Sequence, residues 1–160
     1  MALTPLARGA TLLKQPLPRA TLVLGGGASG KSEFAETMVL AALAPEARAV
    51  YLATAEAGDQ EMAQRIQRHR DRRGERWETC HEPMELGFAL ARESRPHRPV
   101  LIDCLTLWLS NIMHAGRDPA AETAALLAVL PHLSGPVVFV SNEVGQGLQG
   151  PEVEVRRDAA

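Results

Sequence analysis

The chain is short of cysteine, of long apolar runs and of net charge, and each shortage removes a class of protein. Two cysteines, Cys80 and Cys104, do not make the disulfide framework of a small secreted domain. A reducing compartment, the cytoplasm, is therefore expected. No apolar run approaches the roughly 18 residues that a membrane span needs. A formal net charge of −2 argues against a protein that holds nucleic acid or a membrane surface by its overall charge. The head "MALTPLARGATLLKQPLPRA" has no acid and lacks the apolar core of about 7–15 residues found in a secretion signal. Residues 1–20 read as a flexible extension, and residues 21–160 as one domain. No internal repeat or low-complexity segment is present.

What the chain does have is a strand-then-helix rhythm. "ATLVLGG" is followed by a helical pattern from Ser32 to about Leu43, and "RAVYLAT" by a helix over residues 61–73. A helical stretch covers roughly Pro83–Glu93. "PVLIDC" then leads into a helix around "TLWLSNIM", and "DPAAETAALLAVLPHL", with Pro119 in its first turn, leads into the strand "GPVVFVS". Aliphatic, β-branched runs without alternation suit strands buried on both faces. Strands separated by helices imply a mostly parallel sheet with right-handed crossovers. Ligands of such sheets sit beyond the carboxyl ends of the strands, which here carry "GGGASGKS", "ATAE", "DCLT" and "SNEVGQG".

"GGGASGKS" fits the pattern G-x-x-x-x-G-K-[ST] through Gly25, Gly30, Lys31 and Ser32, with a strand before it and a helix after it. Small residues let successive backbone N–H groups curl around a polyphosphate, Lys31 adds a point charge and Ser32 a hydroxyl for Mg²⁺. The helix start adds its own partial positive charge. The competing reading is a glycine-rich turn. At a glycine usage of about 7%, two fixed glycines recur in roughly one window in 200, before Lys and Ser are required. Asp103 ends an apolar strand where a P-loop protein holds the metal's water shell. Aspartate also caps helices and starts turns, so its position alone decides nothing.

The segment "EMAQRIQRHRDRR" carries five arginines around His69. Met62, Ile66, His69 and Arg73 fall at steps of four and three and so share one helix face. The plain reading is a solvated helix. The alternative follows from its place after the second strand, which puts the helix start near the phosphate loop. Guanidinium groups there can engage phosphate oxygens. A histidine among them can attack the α-phosphorus, displace pyrophosphate and form a phosphoramidate. "RIQRHRDRRGERW" with Trp77 could also be read as an RNA patch, but one aromatic and no module signature support that poorly. Cys80 and His81 have no second pair at zinc-binding spacing.

Taken in order, "LGGGASGKSEFAE", "YLATAEAGDQEMAQRIQRHRDRR", "WETCHEP", "VLIDCLTLWLSN" and "VVFVSNEVGQG" resemble the bifunctional adenosylcobinamide kinase/adenosylcobinamide-phosphate guanylyltransferases of cobalamin biosynthesis. The resemblance spans about Leu22 to Gly147. It implies a P-loop NTPase-like, three-layer α/β fold and two reactions. The terminal phosphoryl of ATP or GTP passes to the hydroxyl of adenosylcobinamide. GTP then guanylylates a histidine, which hands GMP to adenosylcobinamide phosphate. The guanylylated histidine of the family matches His69. The resemblance carries nucleotide binding onto Gly25, Gly26, Gly27, Ala28, Ser29, Gly30, Lys31 and Ser32, onto Thr54, Ala55 and Glu56, onto Arg70, Asp71, Arg72 and Arg73, and onto Asp103. Mg²⁺ falls to Ser32 and Asp103, and a homotrimer is implied.

Three departures from the family pattern stand out. Ala28 replaces an arginine common in the loop, and His81, followed by Glu82, stands where an acid is usual. After Val140 only twenty residues follow, and "PEVEVRRDAA" stops where relatives run into a further helix and strand. Shortened C-terminal elements and a missing edge element are therefore expected. A simple P-loop small-molecule kinase with a structural His69, and a nucleotide-binding module without catalysis, remain the alternatives.

Overall fold

A computed structural model describes residues 16–56, 58–143 and 153–157. Five parallel strands among these residues form the body of one sheet: β1 (Ala20–Gly25), β2 (Ala49–Ala53), β3 (Trp77–His81), β4 (Val100–Asp103) and β5 (Val137–Asn142). The helices are α1 (Lys31–Ala42), α2 (Gln60–Arg73), α3 (Leu86–Glu93), α4 (Leu105–His114) and α5 (Pro119–Val129). Strand β6 (Val153–Arg157) lies antiparallel beside β1, and the order across the sheet is β3-β2-β4-β5-β1-β6.

The sheet is covered on both faces, and β2 shows how. All five of its residues are buried. Ala49, Tyr51 and Ala53 join the core beneath α1, with Ala35, Met38 and Val39, while Val50 and Leu52 join the core beneath α3, α4 and α5. The period of two in a strand divides one apolar run between two cores. Leu86, Leu90, Trp108, Ile112 and Leu126 fill the second core. Burying each such side chain stabilises the fold by about 1.5–3 kcal/mol.

Helix boundaries follow local chemistry. Asp59 accepts a hydrogen bond from the Met62 N–H at 2.8 Å and starts α2. Gly74, at φ 74°, ends it in a conformation that glycine tolerates. Asp118 caps α5 ahead of Pro119, whose missing N–H is of no consequence in a first turn.

The strand count differs from the sequence reading. Trp77–His81 is a strand, not a loop, and it lies at the sheet edge with only Trp77 buried. A half-exposed edge strand has no apolar run to announce it. The edge beside β1, expected to lack an element, is covered by β6. The stretch from Pro119 towards Leu133 is also broken: α5 stops at Val129 and a 3₁₀ turn covers Leu130–His132, with Pro131 inside it. Most of the expected 1–20 extension lies outside the described residues, as does the Val144–Gly147 part of the last strand-end motif.

Candidate functional site

The glycine-rich loop joins β1 to α1 at the carboxyl edge of the sheet. Its backbone turns through two left-handed residues, Ala28 at φ 58° and Gly30 at φ 80°. Glycine takes that conformation freely, whereas an alanine there costs about 1–2 kcal/mol. Lys31, 8% exposed, folds its ammonium back to donate to the Gly26 carbonyl at 3.0 Å. Gly26, Gly27, Ala28 and Gly30 are exposed, Gly25 is buried and Ser32 is half-buried. The Ser29 hydroxyl is buried with no partner among the described residues. A cradle of exposed backbone, a buried cation and an unpaired hydroxyl suits the oxygens of a phosphate chain.

Asp103 sits at the end of β4, in register with Ala53 of β2 on one side and Val140 of β5 on the other. Its carboxylate accepts a hydrogen bond from the Tyr51 hydroxyl at 2.5 Å. The Arg73 guanidinium lies over the Tyr51 ring, 3.5 Å from its centroid. Glu36, one turn beyond Ser32 on α1, stands 3.7 Å from Arg72. Burial raises the Glu36 carboxyl above its ordinary value, against the pull of Arg72 and Arg73. Burial foremost, and then Asp103, drives the Tyr51 phenol far upward.

The Thr54 side chain is not open to a ligand. Its hydroxyl donates to the Cys104 carbonyl and accepts from the Cys104 N–H, each at 2.8 Å. Its own N–H donates to the Asp103 carbonyl at 3.1 Å, and its carbonyl accepts from Asn111 at 2.9 Å. These bonds clamp the end of β2 to the end of β4, so Thr54 sets the position of Asp103. Ala55 is half-buried, with its carbonyl against the His81 ring, and Glu56 is exposed. Glu82 turns its carboxylate back to accept from the Met84 N–H at 3.1 Å.

The arginine helix has no buried residue. Ile66 and Arg73 alone on it are half-buried, seven residues apart on one face. His69 lies between them on that face and is itself exposed. The helix was expected to approach the phosphate loop through its start, but its contacts with α1 come from its last turn. Arg72 pairs with Glu33, the residue after Ser32, at 2.5 Å. Asp71 accepts from Gln67 within α2 at 2.8 Å, and Arg70 is exposed.

Tyr51 and Glu36 are the site residues that the sequence did not suggest. The four-residue step from Ser32 to Glu36 could have raised Glu36, but Tyr51 depends on the β2–β4 register, which is a tertiary fact. Ser32 and Asp103 supply hard oxygen donors. Among the described residues no three His, Cys, Asp or Glu side chains gather around a common point. A cation held here would thus complete its shell with ligand oxygens and water, as Mg²⁺ does with nucleotides.

Fold and strand-end residues together define a parallel α/β protein with its polar machinery on one edge of the sheet. Within that class the chain belongs to the CobU family, cobinamide kinase / cobinamide phosphate guanyltransferase, which residues 21–158 match. It is 46% identical over 131 residues to the bifunctional adenosylcobalamin biosynthesis protein CobP of Pseudomonas aeruginosa, covering 79% of this chain and 73% of that protein. The bifunctional adenosylcobalamin biosynthesis protein CobU of Escherichia coli is 32% identical over 151 residues, 85% of this chain and 81% of that protein. The CobU protein of Salmonella typhimurium is 33% identical over 142 residues, 79% and 76% of the two chains.

Proposed function

We propose that this chain acts at two successive steps of cobalamin biosynthesis through one nucleotide site, with His69 as the covalent carrier. It is an adenosylcobinamide kinase and adenosylcobinamide-phosphate guanylyltransferase. In the first reaction the substrate hydroxyl attacks the γ-phosphorus of ATP or GTP and the nucleoside diphosphate leaves. In the second, an imidazole nitrogen of His69 bonds to the α-phosphorus of GTP as the bond to pyrophosphate breaks. A phosphate oxygen of adenosylcobinamide phosphate then displaces the imidazole, giving adenosylcobinamide-GDP.

The loop from Gly25 to Ser32 binds the phosphates and the fold is of the P-loop NTPase kind. The single strand β5 between β1 and β4 supports this, since it leaves Lys31 and Asp103 on the same edge. Ser32 and Asp103 would hold Mg²⁺, which when bound neutralises phosphate charge. Lys31 orients the phosphates, and Arg70, Arg72 and Arg73 add positive charge from α2. Asp71, Ala55 and Glu56 border the nucleotide. Residues 21–160 form the transferase domain, behind an extension of residues 1–20. The active assembly is a homotrimer working in the cytoplasm. Cys80 and Cys104 are free thiols, and no described helix is long and apolar enough to cross a membrane.

One observation carries the role of His69. An exposed imidazole stands on the same face of α2 as Arg73, one turn from it, and Arg73 rests on the tyrosine that touches Asp103. A structural histidine would be packed or bonded. The experiment is incubation with GTP radiolabelled at the α-phosphate, followed by intact-mass measurement. One GMP adduct that survives base, is lost in acid and is missing from His69→Ala is expected, with phosphorylation of adenosylcobinamide retained. An adduct that persists in His69→Ala, or turnover to adenosylcobinamide-GDP by that variant, defeats the assignment.

A further inference from the structure

Tyr51 is the only tyrosine of the chain, and it is 6% exposed. Its ring is fixed from two sides. The Arg73 guanidinium covers one face at 3.5 Å, and Trp77 meets it edge-on with ring centroids 5.9 Å apart and planes at 84°. The hydroxyl so fixed donates to Asp103 Oδ2 at 2.5 Å, and the carboxylate has no other hydrogen bond among the described residues. Burial and the neighbouring carboxylate both hold the phenol in its protonated form, so it stays a donor.

We infer that Tyr51 is a positioning residue for Mg²⁺–nucleotide binding: its hydroxyl occupies one oxygen of Asp103 and aims the other at the cation's water shell. The inference rests on the reading of Asp103 as the Mg²⁺-side carboxylate. A carboxylate free to rotate would have to be ordered when the cation arrives. One already pinned by a buried donor does not lose that freedom on binding. The Thr54–Cys104 clamp fixes the backbone of the same residue, so side chain and main chain are restrained independently.

The test uses the full chain and a non-hydrolysable fluorescent GTP analogue, titrated with and without Mg²⁺. Tyr51→Phe keeps the ring under Arg73 and removes only the hydroxyl. The Mg²⁺ concentration for half-maximal tightening should rise about ten-fold in this variant, while binding in EDTA changes less than about two-fold. In an Asp103→Asn background the same substitution should add nothing to the Mg²⁺ requirement. Equal weakening with and without Mg²⁺ would mean a merely structural tyrosine and overturn the inference. A Mg²⁺ requirement raised by Asp103→Asn but not by Tyr51→Phe overturns it while leaving the metal reading intact. An unchanged requirement in Asp103→Asn removes both.

Wild-type protein gives a second readout that needs no variant to fold. With tyrosine labelled by ¹³C at Cζ, the chain should give one Cζ resonance. That resonance should move when Mg²⁺ joins bound nucleotide and should not move with nucleotide in EDTA. A resonance indifferent to Mg²⁺ overturns the inference.

Discussion

Helices α1 and α2 flank the same face of the sheet and are anchored to it in opposite ways. α1 buries Lys31, Ala35, Met38 and Val39 against the sheet. α2 buries nothing, and its ties are an Arg72–Glu33 pair, a longer Arg72–Glu36 contact and a guanidinium over Tyr51. Ion pairs at an exposed surface contribute about 0–1 kcal/mol and a cation over a ring about 0.5–2. Apolar burial under α1 is worth several times more. The phosphate loop is therefore built on a rigid support, and the proposed histidine carrier on a weakly held one. Local openings of α2 should cost less than those of α1, and amide exchange should run faster along α2.

The contrast is broken most forcefully at the loop. Lys31→Ala should lower both half-reactions by about 10²–10³, because each needs the same phosphates oriented and neutralised. His69→Ala should abolish only the second. Separate assays of phosphorylated adenosylcobinamide and of the GMP adduct distinguish these patterns. If Lys31→Ala spares one reaction, the two do not share a phosphate site. In stability the order of the helices should show directly. Val39→Ala should cost about 1.5–3 kcal/mol in urea denaturation. Ile66→Ala, at a half-exposed position of α2, should cost under about 1 kcal/mol. Equal losses would mean that α2 is anchored as firmly as α1.

The same contrast separates what could be read from the letters and what could not. The phosphate loop and α1 follow from consecutive residues, so local order alone exposes them. Asp103 was legible as the polar end of an apolar strand. Tyr51 was not, because the β2–β4 register that sets it beside that carboxylate joins segments some fifty residues apart. Trp77–His81 and Val153–Arg157 escaped for a different reason. An edge strand keeps one side towards solvent or a single neighbour, so its pattern is too mixed and too short to stand out. Thr54 was read as a ligand contact because it follows a strand end. Its full set of backbone bonds shows that a strand-end position can serve the sheet itself.

A smaller effect is expected where the two helices meet. Arg72→Ala removes the contacts to Glu33 and Glu36 from side chains that are 46% and 67% exposed in the closer pair. Its cost in urea denaturation should stay under about 1 kcal/mol and shrink further as salt rises. The guanylyl-transfer rate should fall more than the stability does, since the change loosens α2 against the loop. A large, salt-independent loss of stability would show that the pair holds more of the fold than its exposure allows.

The finest test is the acid dependence of Glu36. Burial raises its carboxyl above the ordinary 4.5, with Arg72 and Arg73 opposing and Asp103 and Glu33 adding to the rise. The folded chain therefore keeps this proton at a pH where the unfolded chain has released it. The stabilisation is complete below the unfolded value and is lost as pH climbs through the folded one. Glu36→Gln cannot titrate, so its urea midpoint should lack this decline and exceed that of wild type above the window. Only the difference between the two curves matters, because other carboxylates titrate in both proteins. A difference that stays flat from pH 4.5 upward would mean the carboxyl is as well solvated as a surface glutamate. With Arg72→Ala present the difference should widen, since the nearest cation favouring the ionised form is gone.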